Sequence, residues 1–245
     1  MSSEMMSPVG GDPDAASPVL ERRRFRPFTK RETAVATSLA LLAWTVAIFD
    51  YGLFGTLLPA MQADFGWNEP TAYLVNTLIA IGTAVVAFGV GPVIDRLGRR
   101  RGMMLTVGGT AVASALTALI PAKLGAVSNA ALIGVRSLGG LGFSEQSVNA
   151  TYLNEVYAIT EDEHKRENRG FWYGIVQGGW PLGFLLSSAL ALVLLDDLGW
   201  RALYLVATLP AIALVLLIGK KLKETPQFEL HKQLRQLKAQ GRSAE

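Results

Sequence analysis

Residues Gly91–Gly102, GPVIDRLGRRRG, place one aspartate and four arginines directly after a long uncharged stretch. Three kinds of protein contain such a run: a soluble protein with a solvated turn, a nucleic-acid binder with a basic patch, and a membrane protein with a charged hairpin. The residues on either side of the run distinguish these possibilities.

The overall composition favours a membrane protein. Of the 245 residues, 50% are hydrophobic and 18% are charged, and the mean hydropathy is +0.31. These values are too apolar for an ordinary soluble domain. The chain has no cysteine, which excludes disulfides, zinc–thiolate sites and cysteine nucleophiles. His164 and His231 both lie in hydrophilic segments, so we expect no metal site.

Six long apolar segments follow the polar N-terminal residues. Each approaches the ~20 residues that a helix needs to cross the hydrocarbon core, whereas strands of a membrane β-barrel are about half as long and alternate in polarity. We therefore predict an all-α integral membrane protein with six transmembrane helices. The predicted segments are 33–61, 70–94, 103–122, 129–155, 169–195 and 201–219.

Three regions follow from this pattern. Residues 1–32 are polar and end in a basic run, which predicts a disordered cytoplasmic tail without a cleavable signal peptide. Residues 33–219 form the transmembrane domain. Residues 220–245 space their apolar side chains as an amphipathic helix does, and we expect this cytoplasmic tail to lie on the membrane face rather than to bind a partner.

The basic residues set the predicted orientation. All but three of the 23 Lys and Arg residues lie in the N-terminal tail, the second and fourth loops and the C-terminal tail. Cytoplasmic loops are enriched in Lys and Arg, so we predict that both termini are cytoplasmic and that the chain lies in the cell membrane. Because the basic residues are spread over separate loops, we expect no nucleic-acid partner.

Two opposite charges lie inside the predicted helices. Asp50 falls near the middle of the first, and Arg136 falls in the outer half of the fourth. An ionisable group at this depth is a functional candidate, and an Asp beside an Arg is able to bind and release a proton as water access changes. The alternative is a static ion pair that holds two helices together.

Four further polar or aromatic residues are candidates for substrate binding. Glu145 and Asn149 share one face of the fourth segment, where cavity lining and interhelical hydrogen bonding are equally compatible with the pattern. Gln177 and Trp180 lie deeper in the fifth segment, beside a Gly-Gly-Trp-Pro sequence that permits a bend around a cavity. No nucleotide-binding loop and no Ser/His/Asp set is present, so we predict neither enzymatic activity nor a cofactor.

Several motifs together resemble the N-terminal half of a major facilitator superfamily transporter of the sugar-porter and metabolite:proton symporter branches. The signature loop G-x-x-x-D-R-x-G-R-R is matched by GPVIDRLGRR, and the helix-four pattern R-x-x-x-G-x-G by RSLGGLG. The similarity continues in FDYGLFG of the first helix, GWRALYLVATLP at the sixth, and the E-[ST]-P motif in LKETPQF.

This resemblance implies a proton-coupled transporter of a small polar metabolite, either an organic acid or a sugar. It implies proton coupling by Asp50 and Arg136 and substrate binding by Gln177. It also implies a cytoplasmic gate at Gly91, Asp95, Arg96, Gly98, Arg99, Arg100, Glu155 and Arg169.

Two departures from the family pattern matter. Glu155 and Arg169 are separated by the inserted sequence TEDEHKREN, and the chain carries one half of the usual twelve helices. The implied partners are therefore the lipid bilayer and either a C-terminal six-helix half or a second copy. The alternatives are a facilitative uniporter and a non-transporting scaffold or regulatory half-protein.

Overall fold

The computed structural model describes residues 26–239, and its long elements are all α-helices. In chain order they are α1 (Lys30–Phe65), α2 (Glu69–Leu97), α3 (Arg99–Leu119), α4 (Ala126–Ser137), α5 (Gly140–Ala158), α6 (Glu163–Glu167), α7 (Arg169–Gln177), α8 (Gly179–Lys221) and α9 (Pro226–Ala239).

The first helix starts before the predicted position. The Thr29 hydroxyl accepts a hydrogen bond from the N–H of Glu32, whose carboxylate accepts one from the N–H of Thr29. This capping box starts α1 at Lys30. Phe28 is buried, so the predicted disordered tail of residues 1–32 is wrong for residues 26–32. Residues 1–25 lie outside the described part of the chain.

The predicted fourth helix is divided into α4 and α5. The Gly139 N–H bonds to the Arg136 carbonyl, three residues back, which is the tighter spacing of a 3₁₀ turn. The adjacent glycines Gly139 and Gly140 lower the helix propensity at this point. A second division at Gly178 separates α7 from α8, next to the predicted Gly-Gly-Trp-Pro bend.

Helix α8 contains a sharp change of direction. Its backbone leaves the helical region at Gly199, with φ 74° and ψ 162°, so two helices meet there. Counted by length and composition, four stretches of the described chain are apolar enough to cross a membrane: α1, α2, α3 and Arg169–Lys221. The count of six transmembrane helices therefore stays a prediction.

Helices α1 and α8 form the most extensive contact of the bundle. At Gly183 of α8, an added Cβ would lie 2.7 Å from the backbone nitrogen of Phe49 and 2.8 Å from the carbonyl oxygen of Thr45. The absence of a side chain at this position is what permits the two backbones to approach so closely.

The helix ends gather at two opposite ends of the bundle. The basic end contains the start of α1, the α2–α3 turn, the end of α5 and the end of α8, joined by contacts such as the parallel bridge between Phe28 and Thr160. The C-terminal tail contributes α9 at this end, and residues 240–245 lie outside the described part. The position of the C-terminal tail on a membrane face stays a prediction.

Candidate functional site

The Asp50–Arg136 pair lies in the interior of the bundle and joins α1 to α4. Arg136 Nη2 lies 3.2 Å from Asp50 Oδ2, and Nη1 lies 3.3 Å from Oδ1. Both residues are buried, with exposures of 4% and 3%. Ser114 of α3 donates a third hydrogen bond to the Asp50 carboxylate, at Oδ1. The two charges predicted from the sequence are therefore brought together.

Two aromatic rings complete the surroundings of Arg136. Its guanidinium carbon lies 5.5 Å from the ring centre of Phe54 and 5.2 Å from that of Tyr204, which are cation–π distances. The charge pair thus couples four helices, α1, α3, α4 and α8. Neutralising Asp50 with a proton would remove the compensating charge from Arg136 and weaken that coupling.

A second feature is a partly exposed aromatic surface, which we call the aromatic face: Tyr51, Phe143, Trp180 and Phe184. The Tyr51 and Phe143 rings meet edge to face at 4.7 Å, and the Trp180 and Phe184 rings lie 5.5 Å apart. Tyr51 and Trp180 are 41% and 40% exposed. Apolar rings that remain open in this way are available to stack on a flat ligand.

Two amide side chains lie three residues from rings of this aromatic face: Gln146 follows Phe143 on α5, and Gln177 at the end of α7 precedes Trp180. Gln146 Nε2 of α5 donates to Gln177 Oε1 of α7, at 3.2 Å. The Nε2 atom of Gln177 is buried and makes no hydrogen bond to any described residue. Gln177 and Trp180 were predicted from the sequence. Gln146, Tyr51 and Phe143 were not, because their common surface with Trp180 is visible only once α1, α5 and α8 are placed together.

Glu145 and Asn149 point into the bundle. Both have 0% exposure. Asn149 Nδ2 donates to the carbonyl of Ala40 on α1, at 2.8 Å, and Glu145 shares a short hydrogen bond with Thr106 on α3. Of the two alternatives for these residues, interhelical hydrogen bonding describes the observed contacts. Substrate binding by Glu145 and Asn149 is not supported by this geometry.

Several residues of the predicted gate meet in a polar cluster at the basic end, around Arg99. Arg99 Nη1 lies 2.9 Å from Asp95 Oδ1, and Arg99 Nε lies 3.4 Å from Glu155 Oε1. Glu155 also accepts a hydrogen bond from Thr225, which follows α8. Three separate parts of the chain therefore meet at this cluster.

Glu224 is a central member of this cluster that the sequence reasoning did not assign. Its Oε1 accepts from the backbone nitrogens of Arg99 and Arg100, at 3.0 and 3.3 Å. Gly98, with φ 97°, leaves room for it, because an added Cβ would meet the Glu224 carboxylate and lie 2.7 Å from the ring of Phe228. Arg100 donates to the carbonyl of Gly219 at the end of α8. The sequence did contain a signal for this residue, because Glu224 is the glutamate of the E-T-P motif.

Three of the predicted gate residues, Gly91, Arg96 and Arg169, take no part in this cluster. An added Cβ at Gly91 meets nothing within 4 Å, so no tight approach occurs there. Arg96 is exposed, and within residues 26–239 neither it nor Arg169 forms an ion pair. Glu155 bonds to Arg99 and Thr225 instead of Arg169, because the inserted residues form α6 and leave Arg169 exposed at the start of α7.

The opposite end of the bundle is held by a smaller polar cluster. Asp64 at the end of α1 forms an ion pair with Arg201 and accepts a hydrogen bond from Trp200 Nε1, at 3.1 Å. Arg201 Nη2 donates to the carbonyl of Ile120, at 3.1 Å. The Gly-Trp-Arg sequence after the kink at Gly199 therefore ties α8 to the ends of α1 and α3.

Comparison with known proteins identifies the class to which this bundle belongs. Residues 40–242 match the Major Facilitator Superfamily, and the chain belongs to that family. It is thus a membrane protein of a transporter family. The fold is similar to that of a double-tryptophan mutant of XylE, with a TM-score of 0.67 at 18% identity, over 82% of this chain and 47% of XylE.

Three curated relatives carry transporter names. A probable 4-methylmuconolactone transporter of Cupriavidus pinatubonensis is 30% identical over 78% of this chain and 43% of its own length. The gentisate transporter of Corynebacterium glutamicum is 28% identical (70% of this chain, 37% of the relative), and the gallate transporter of Pseudomonas putida is 27% identical (74% and 37%). The chain therefore spans less than half the length of these relatives.

Proposed function

We propose that the chain forms one half of a proton-coupled secondary transporter that carries a small organic acid, of the aromatic class, across the cytoplasmic membrane. In this fold class the substrate site lies at mid-bilayer between two halves. The complementary half is either a C-terminal six-helix unit or a second copy of this chain.

The aromatic face is the observation that carries the substrate class. Tyr51 and Trp180 offer rings for stacking, while the exposed amide of Gln146, which gives one hydrogen to Gln177, has a second N–H for a carboxylate oxygen. A sugar presents several hydroxyl groups and requires a denser set of polar partners. The names of the gentisate and gallate transporters agree with an aromatic acid.

The Asp50–Arg136 pair supports proton coupling. Protonation of Asp50 from one side of the membrane would weaken its bond to Arg136 and to Ser114, and so loosen α1 from α4 and α3. Re-ionisation on the other side would restore these contacts. A proton would then bias the bundle between two packings, which is what coupling of a gradient to substrate movement requires.

Uptake measurements test this function. Cells that express the protein from its complete reading frame should accumulate labelled gentisate or gallate but not a hexose, and a protonophore should abolish the accumulation. Asp50→Asn should retain equilibration of the acid while it loses accumulation against a gradient. Accumulation that persists with the protonophore would disprove proton coupling, and preferential uptake of the hexose would disprove the substrate class.

A further inference from the structure

The interior of the bundle contains a second carboxyl group, Glu145, whose surroundings differ from those of Asp50. Asp50 has a guanidinium partner on α4. Glu145 is fully buried, its Oε2 has Thr106 as its hydrogen-bond partner, and its Oε1 has none among the described residues. An ionised carboxylate without a cation or a full set of donors is very costly in such a place.

The hydrogen count at Thr106 indicates which group carries the proton. Thr106 Oγ1 lies 3.0 Å from the carbonyl oxygen of Met103 and makes a short contact with Glu145 Oε2. A hydroxyl group has one hydrogen, and a carbonyl oxygen has none to give. If Thr106 donates to Met103, the hydrogen between Thr106 and Glu145 must belong to the carboxyl group. A neutral Glu145 therefore satisfies both contacts at once.

The alternative protonation state is less favourable, because it leaves a negative charge without enough donors. If Glu145 is ionised, the single hydrogen of Thr106 turns to Oε2, and the Met103 carbonyl loses this contact. The second carboxylate oxygen, Oε1, then remains buried without a donor. The neutral carboxyl leaves Oε1 as an uncharged carbonyl-type oxygen, for which the desolvation penalty is much smaller.

Among residues 26–239, Glu145 forms no ion pair, and the elements that pack against α5 supply no cation beside it. These elements are α1, α2, α3, α6 and α7. Residues 102–119 of α3, 70–94 of α2 and 170–177 of α7 contain no charged residue, and the charge that α1 places in the interior, Asp50, is already paired with Arg136. The charged residues of α6 follow the end of α5 at Ala158, about 20 Å along the chain axis from Glu145.

We propose that Glu145 is a proton-binding site, loaded at neutral pH, that donates its hydrogen to Thr106 and is separate from the Asp50–Arg136 pair. The next residue, Gln146, is exposed beside the aromatic face. A movement of α5 away from α3 would admit water to Glu145, where its O–H bond breaks, the proton passes to water and the carboxylate becomes hydrated. This inference does not depend on the nature of the transported substrate.

Infrared difference spectroscopy on the protein in liposomes, expressed from its complete reading frame, tests the proposal. The C=O stretch of a protonated carboxylic acid is separate from the carboxylate and amide bands. At pH 7 the wild-type protein should show this band, and Glu145→Gln should lose it. Gln is the matched variant, since its amide also donates to Thr106. The control Asp50→Asn should leave the band in place.

Variants of Thr106 supply a second, independent test, which measures the frequency of the same band. Thr106→Val removes the acceptor and should shift the band to higher frequency, whereas Thr106→Ser should restore the wild-type position. A band that is absent from the wild-type protein at pH 7, or that survives in Glu145→Gln, overturns the proposal. If Glu145→Gln does not fold, an unshifted band in Thr106→Val overturns it as well. If the wild-type protein takes up no gentisate but shows the carboxylic-acid band, the result contradicts the proposed function and leaves the Glu145 proposal intact.

Discussion

The carboxylate of Glu224 caps the first turn of α3, with its Oε1 3.0 Å from the backbone nitrogen of Arg99. The first N–H groups of a helix have no partner within the helix, and the residue before α3 is Gly98, which has no side chain to supply one. A residue that lies more than a hundred positions later therefore completes this helix end. The segment after α8 is tied in this way to the α2–α3 turn.

Replacing Glu224 should weaken this connection. Glu224→Ala removes the acceptor for two backbone N–H groups, and the loss of a helix cap costs about 1 kcal/mol. We expect a lower Tm for the protein in detergent, measured by the exposure of its buried tryptophans. Glu229→Ala, an exposed neighbour on α9, is the control and should leave the Tm unchanged. Equal effects of the two variants would contradict a capping role.

The stability that Glu224 contributes should also depend on pH. Burial raises the pKa of the Glu224 carboxyl above its ordinary value of 4.5, and the N–H groups of Thr225, Arg100 and Arg99 oppose this rise. The folded state then binds the proton more tightly than the unfolded state does, so the free energy of unfolding increases as the pH falls through the raised pKa. Relative to Glu224→Gln, the wild-type Tm should therefore rise as the pH is lowered from neutral towards the ordinary value of 4.5. A constant difference would contradict the raised pKa.

The two glycines of the signature loop should respond in opposite ways to alanine. Gly98 has a φ of 97°, and an added Cβ would also meet Glu224 and Phe228, so Gly98→Ala should cost about 1–3 kcal/mol. Gly91 lies inside α2 with open space around it, so Gly91→Ala should stabilise the helix by up to about 1 kcal/mol. The Tm of both variants checks this, and a destabilised Gly91→Ala would show that its surroundings are tighter than described.

The buried charge pair predicts an asymmetry between its two partners. Asp50→Asn leaves a guanidinium that cannot lose its proton, whereas Arg136→Gln leaves a carboxylate that is able to take one up. Removing one partner of a buried pair costs about 3–5 kcal/mol, and we expect Asp50→Asn to be the more destabilising change. The double variant should be more stable than Asp50→Asn alone. A double-mutant cycle on the free energy of unfolding measures both effects.

The aromatic face should contribute directly to ligand affinity. Stacking between aromatic rings is worth about 0.5–1.5 kcal/mol, so Trp180→Ala should weaken binding of gentisate about twofold to tenfold, while Trp180→Phe should retain most of it. Equilibrium dialysis with the labelled acid gives the Kd. Leu192→Ala changes a side chain that is 87% exposed on the apolar exterior and should leave the Kd unchanged. If all three variants bind alike, the aromatic face is not the substrate surface.

The sequence predicted the features in which charged residues interrupt or enter the apolar segments. Asp50 and Arg136 were paired in advance because isolated charges at membrane depth are costly and a partner of opposite sign at matching depth was available. The hairpin at Gly98 was predicted for a similar reason, since the apolar segments on either side of a charged run must remain in the membrane.

The remaining parts of the site depend on local geometry that composition does not encode. Glu145 and Asn149 share one face of α5, but only the packing of that face against α3 and α1 decides between cavity lining and interhelical hydrogen bonding. The expected contact between Glu155 and Arg169 fails because the inserted residues form a helix of their own. Glu224 was not assigned because its partners are backbone N–H groups, which every residue type except proline carries.

Only one residue, Gly98, separates α2 from α3, so this connection has no slack. A rotation of α2 about its own axis must either change the backbone dihedral angles of Gly98 or rotate α3 as well. Because Glu224 occupies the space beside Gly98, the same rotation also displaces the segment that leads into α9. Spectroscopic labels on α2 and on α9 should therefore report movements with the same rate constant, because the two helices move together.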